Sequence, residues 1–188
     1  MALITLTEIL NFAIISAVLG FIFAGLYQSR PKTVYDRIHK RKFSFRDFKF
    51  ALAVVAPAIV LHELAHKFVA MGFGYTASFE LFPFGLLVGV VLKIIGSPLL
   101  LVAPGYVIIG TEAFSNGFAY RLIAFAGPAV NLILWIGSMF LLKTKIKFTT
   151  WQRSALKMSK LLNMLLFFFN MIPFGPFDGA KVFFGPPS

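Results

Sequence analysis

Cysteine is missing from the 188-residue chain, which excludes disulfides, thiolate metal sites and a cysteine nucleophile together. Charge is scarce too: charged residues make up 13% of the chain, and only 7 of them are acidic. What fills the space is apolar. Hydrophobic residues reach 59% and mean hydropathy is +0.84, more apolar surface than a soluble domain of this length can bury. The composition predicts an integral membrane protein, multi-pass and in the cell membrane. There is no internal repeat, no low-complexity tail and no room for an appended soluble domain.

The net charge of +11 raises the question of nucleic acid, and its distribution answers it. Eight basic residues fall between Arg30 and Lys49, and four between Lys143 and Arg153. Basic loops flanking apolar runs are a topology and lipid-headgroup signal. No nucleic-acid-binding module accompanies them, so the expected partner is the lipid bilayer and not nucleic acid.

The fold class predicted is an α-helical polytopic membrane protein with about four transmembrane helices, over residues 3–27, 50–71, 121–142 and 155–173. The first run lacks a basic leader and a small-residue cleavage site, so it reads as a retained helix and not a signal peptide. Between helices 2 and 3 the pattern changes. Thr76, Ser78 and Glu80 alternate with apolar neighbours at strand period. The apolar stretches 84–95 and 99–109 are interrupted by Gly85, Gly89, Lys93, Gly96, Pro98, Pro104 and Gly105, which argues against a spanning helix. Residues 75–109 are therefore expected to form a small membrane-re-entrant β element, covered by other protein. That reading places both basic loops on one side of the membrane. The whole chain, 1–188, reads as one domain: a first transmembrane helix (1–27), a basic loop (28–49) and a core (50–181).

Polar side chains inside the apolar runs carry the chemistry. His62 and His66 are four residues apart and share a helix face, so they can clamp one metal ion. Glu63 lies beside them, where a carboxylate can accept a proton from water. An ionised residue at a membrane helix centre costs roughly 2.5–3.5 kcal/mol, so this cluster implies chemistry at that depth. The flanks 51–61 and 68–71 offer no hydrated face, which excludes a surface helix; a polar cluster gluing helices together is the alternative. Lys67 is expected to snorkel, and His39 to be solvated in the basic loop.

Asp178 follows a break made by Pro173, Gly175 and Pro176, and could turn back towards the two histidines. Two His and one carboxylate would leave an open fourth position on zinc. The other reading of Asp178 is a turn residue before Gly179. Gly127-Pro128-Ala129-Val130-Asn131 is expected to begin the third helix, and a small-residue packing notch would explain it equally well. Asn170 could bond to carbonyls freed by Pro173.

His62-Glu63-xx-His66, then Gly127-Pro128-xx-Asn131, then Asn170-xx-Pro173-Phe174-xxx-Asp178-Gly179, resembles the site-2 protease family of intramembrane zinc metalloproteases (peptidase family M50). All three motifs occur in family order, over residues 50–181. The resemblance implies one zinc per chain held by His62, His66 and Asp178, with Glu63 as catalytic acid/base. It implies that Gly127, Pro128, Asn131 and Asn170 line the substrate path. The implied substrate is a transmembrane protein, cut in or near its membrane span (regulated intramembrane proteolysis). Many members carry a PDZ or CBS domain, so this chain is expected to be a minimal form.

A helical substrate must unwind first, and an exposed edge over 75–82 could hold it by strand addition. A metal or proton transporter would need a polar path, and beyond the cluster the helices offer mainly Asn131, Asn163 and Asn170. No GxSG or GxGD motif supports a serine or aspartyl intramembrane protease. Orientation has two readings: the basic loops place the His62 helix running outward from the cytoplasm, and the family pattern runs it inward. The sequence leaves substrate identity and oligomeric state open.

Overall fold

A computed structural model describes residues 3–24, 44–97 and 104–186. Five longer helices and two strands follow in order: α1 (Leu6–Ile22), α2 (Phe45–Gly72), β1 (Ala77–Leu81), α3 (Pro83–Ile94), β2 (Gly105–Ile109), α4 (Gly117–Lys143) and α5 (Thr150–Asn170). A 3₁₀ turn over Thr111–Ser115 leads into α4, and a short α6 (Asp178–Phe184) ends the described chain. Most of the basic loop, including His39, and the stretch 98–103 lie outside the described residues.

Among the described residues, α2 and α4 are the two helices long and apolar enough to cross a membrane. α1 and α3 are apolar but shorter. α5 runs 21 residues, but Arg153, Lys157 and Lys160 make its first half polar. Local chemistry sets several ends. Thr5 and Glu8 form a capping box at α1, Thr149 and Gln152 another at α5, and the Asn116 side chain accepts from the Ala119 amide at α4. α2 begins five residues earlier than expected, so Arg46 and Lys49 belong to a helix and not to the basic loop.

The strand expected from the Thr76–Glu80 alternation is β1, paired antiparallel with β2, Phe79 opposite Val107. The segment 84–95, expected as part of the same sheet, is instead helix α3. Pro83 fixes the first-turn geometry, and Gly85, Leu86 and Gly89 form its buried face. The glycines that argued against a helix thus form a small-residue seam on one, which lets helices approach closely.

The strand pair packs one face on helices. Phe79 is buried with Ile15 and Leu19 of α1, Val55 of α2 and Leu86 of α3, and its ring stacks on Phe12 at 4.4 Å. Gly127-Pro128 does not begin a helix; α4 starts ten residues earlier, and the pair lies mid-helix against α2.

Candidate metal centre

α2 and α4 cross antiparallel, and the crossing point is where the histidines sit. His62 Nδ1 lies 2.6 Å from Asn131 Oδ1, and His66 Nδ1 lies 2.7 Å from the Ile123 carbonyl. Ile123, Gly127 and Asn131 are spaced by four on one face of α4, matching His62 and His66 on α2. Gly127 supplies the space between. A Cβ there would lie 2.6 Å from His62 Nε2 and closer still to His66 Nε2.

The third member arrives with α6. A Cβ on Gly179 would meet the Ile172 carbonyl oxygen at 2.5 Å, so glycine lets the start of α6 press against the end of α5. Asp178 Oδ2 then lies 3.2 Å from both His62 Nε2 and His66 Nε2, which are 3.1 Å apart. Lys181 Nζ donates to the other oxygen, Oδ1, at 3.4 Å. All three donor residues are buried.

The hydrogen bonds behind the histidines fix their chemistry. Asn131 Nδ2 donates to the Ala58 carbonyl at 3.0 Å and to Asn163 Oδ1 at 2.9 Å. Asn163 Nδ2 in turn donates to the Ser159 carbonyl at 2.8 Å. Carbonyls can only accept, so Asn131 must present Oδ1 to His62, and His62 must carry its proton on Nδ1. His66 is held in the same tautomer by the Ile123 carbonyl. In the neutral rings both Nε2 lone pairs then point at each other and at a carboxylate oxygen.

Three converging acceptors repel unless a cation sits among them. A tetrahedral ion with bonds of about 2.0–2.1 Å separates its ligands by about 3.3 Å, close to the spacing found. The residues therefore fit a zinc ion, which His62, His66 and Asp178 would hold.

A cavity of about 530 Å³ is lined by His62, Glu63, His66 and Asp178, with Asn170 and Lys181 at its wall. All of β2, Gly105–Ile109, also lines it. Of the four residues the resemblance places on the substrate path, Asn170 lines the cavity. Gly127, Pro128 and Asn131 do not line it: Gly127 lies against the two Nε2 atoms, Asn131 stands behind His62, and Pro128 and Asn131 are fully buried. Asn170 donates to the Leu166 carbonyl at 2.9 Å, within its own helix, and not to a carbonyl freed by Pro173.

Other expectations change as well. Lys67 does not snorkel: it is 2% exposed and paired with Glu8 of α1. The edge of β1 is not the open one. Gly110 N donates to Thr76 O and Phe82 N to Pro104 O, so even-numbered β1 residues bond to β2. Odd-numbered residues point outward, and the Phe79 amide is taken by Glu8. The outward groups of β2, at Gly105, Val107 and Ile109, make no hydrogen bond to other described residues and border the cavity. Lys181 and the Ile123 carbonyl escaped sequence reading; only the Asp178–Lys181 spacing, one helical turn, offered a signal.

Two known proteins are similar to this chain in sequence. "Putative zinc metalloprotease MJ0611" of Methanocaldococcus jannaschii is 33% identical over 143 residues, covering 74% of this chain and 72% of the relative. The chain belongs to this zinc metalloprotease family. "Putative zinc metalloprotease sll0528" of Synechocystis is 31% identical over 126 residues, 66% of this chain but 28% of that longer protein. No protein-family profile matches the chain, and no solved structure matches it. Membership in the zinc metalloprotease family agrees with the donor set: two tautomer-fixed histidines and a carboxylate, with Glu63 in the same cavity.

Proposed function

We propose that this chain is a zinc-dependent intramembrane protease of the site-2 type, cutting a transmembrane substrate in or near its span. One observation carries the reading: three donors able to hold a metal ion and a buried glutamate share a cavity with a strand edge that is unpaired among the described residues. In this reading four helices, α1, α2, α4 and α5, cross the bilayer, and the β1–β2 pair enters it without crossing. The membrane depth of the site is supported by its place on α2 and α4, the two helices apolar enough to span.

His62, His66 and Asp178 would hold the ion. When bound, zinc supplies Lewis acidity to the scissile carbonyl and to water. Glu63 takes the proton from the attacking water as its oxygen adds to the carbonyl carbon. It then delivers that proton to the leaving nitrogen as the C–N bond breaks, releasing a carboxylate and an amine. No covalent intermediate with the chain is needed, consistent with the missing cysteine.

A helical substrate offers no free peptide groups, so it must be extended before it can react. The outward N–H and C=O groups of Gly105, Val107 and Ile109 provide a template for one added strand. Strand addition here aligns the extended segment along the cavity, next to Glu63 and the metal ligands. Asn170 stands at the same wall for backbone groups the strand leaves unpaired.

The test is reconstitution of the full chain with a single-span substrate, with products mapped by mass spectrometry. Cuts inside the span, abolished by a zinc chelator and restored by zinc, are expected. Cuts confined to soluble loops would overturn the intramembrane reading.

A further inference from the structure

The chain buries a second pair of charges that the proposed chemistry does not use. Glu8 on α1 is 3% exposed and Lys67 on α2 is 2% exposed, and the two form an ion pair. Glu8 is satisfied on both oxygens. Oε2 accepts from the Thr5 amide at 2.8 Å and from the Thr5 hydroxyl at 3.1 Å, closing the capping box. Oε1 accepts from Lys67 Nζ and from the Phe79 amide at 2.9 Å.

Oε1 therefore ties two things together. Lys67 follows His66 directly on the helix that carries two metal ligands. Phe79 sits on β1 directly opposite Val107 of β2, whose outward backbone groups border the catalytic cavity. α1 holds Phe79 a second time, because Phe12, one turn after Glu8, stacks on its ring. Gly105 allows the strands to close over that ring, since a Cβ there would meet both it and the Glu80 carbonyl.

A buried ion pair is a poor source of stability, because desolvation offsets most of the attraction. An apolar pair would pack α1 on α2 as well. Apolar packing lacks direction, however, and would not fix how far the strand pair sits from the histidines. A charged oxygen shared between the ligand helix and a strand amide does fix it.

We infer that Glu8 is a positioning residue: through Oε1, with Lys67, it sets the β1–β2 pair so that the edge of β2 left open among the described residues meets an extended substrate at the metal centre. This rests on the protease reading above. It also makes α1, which contributes no residue to the metal centre, a working part of substrate binding.

The test uses the full chain in proteoliposomes with a single-span substrate. E8M/K67M removes both charges and leaves none unpaired, but takes the acceptor from Phe79. Its KM is expected to rise about tenfold, the loss of roughly one positioned hydrogen bond, with kcat within about twofold. Zinc should stay at one per chain. E8Q/K67M keeps a neutral acceptor for the Phe79 amide and should recover most of the wild-type KM. A wild-type KM in E8M/K67M, or a fall in kcat at unchanged KM, overturns the inference.

Amide hydrogen exchange gives an arm that needs no catalysis. The Phe79 amide should exchange slowly in the wild type and at least about tenfold faster in E8M/K67M. A Phe79 amide that exchanges fast in the wild type overturns the inference even if the double variant does not fold. A wild-type chain that binds zinc and cleaves nothing overturns the protease reading and the substrate-positioning role together, whereas cleavage with a wild-type KM in E8M/K67M overturns the role of Glu8 alone.

Discussion

His62 Nδ1 donates to Asn131 Oδ1 at 2.6 Å, and this bond decides which nitrogen faces the metal position. Asn131 has no choice of orientation, because its amide nitrogen is committed to the Ala58 carbonyl and to Asn163. Groups behind a ligand histidine typically change metal affinity by 10–100-fold when removed. Asn131→Leu should weaken zinc binding by about that factor while leaving the helices intact, measured by competition with a chelator. Unchanged affinity would show that His62 finds its tautomer without Asn131.

Gly127→Ala places a methyl group against both Nε2 atoms. Bound zinc is expected to fall to a small fraction of one per chain. Gly137→Ala, on the same helix with nothing within 4 Å of the new Cβ, is the control. It should keep zinc and gain about 0.5–1 kcal/mol from helix propensity. Equal zinc content in the two variants would contradict the placement of Gly127.

Lys67→Met alone leaves the Glu8 carboxylate buried without its cation. A loss of about 3–5 kcal/mol in unfolding free energy is expected, much more than for E8M/K67M. A thermal or denaturant melt of the two variants in detergent checks the order.

Val107→Pro removes an outward amide that the β1–β2 ladder does not use, and proline is tolerated at such edge positions. Zinc content should be unchanged, and KM for a single-span substrate should rise by about tenfold. Wild-type KM would mean that the substrate does not pair with this edge.

Much of the candidate metal centre is legible in the sequence. The four-residue spacing of His62 and His66 is a helical fact, and Asp178 beyond a proline–glycine break reads either as a partner for them or as a turn residue before Gly179; the structure places it beside both histidines. The role of Gly127 and Asn131 was not legible, because a glycine–proline pair reads equally as a packing notch. Only the antiparallel crossing of α2 and α4 shows that they face the histidines.

Helix α3 is not legible for a related reason: Gly85 and Gly89 weaken an isolated helix, and their burial depends on neighbours distant in sequence. Glu8 is the clearest case. Thr5-Leu6-Thr7-Glu8 is a local capping signal, but nothing local says that the second oxygen reaches a lysine 59 residues away. Contacts set by tertiary packing leave no periodic trace.

The most direct test of the central claim compares the wild type with Glu63→Gln, measuring zinc content and cleavage of a single-span substrate together. The account predicts one zinc per chain in both proteins, and a loss of cleavage by about 10²–10⁴-fold in the variant, the usual contribution of a positioned general base. Cleavage at the wild-type rate by Glu63→Gln, with zinc retained, would contradict it.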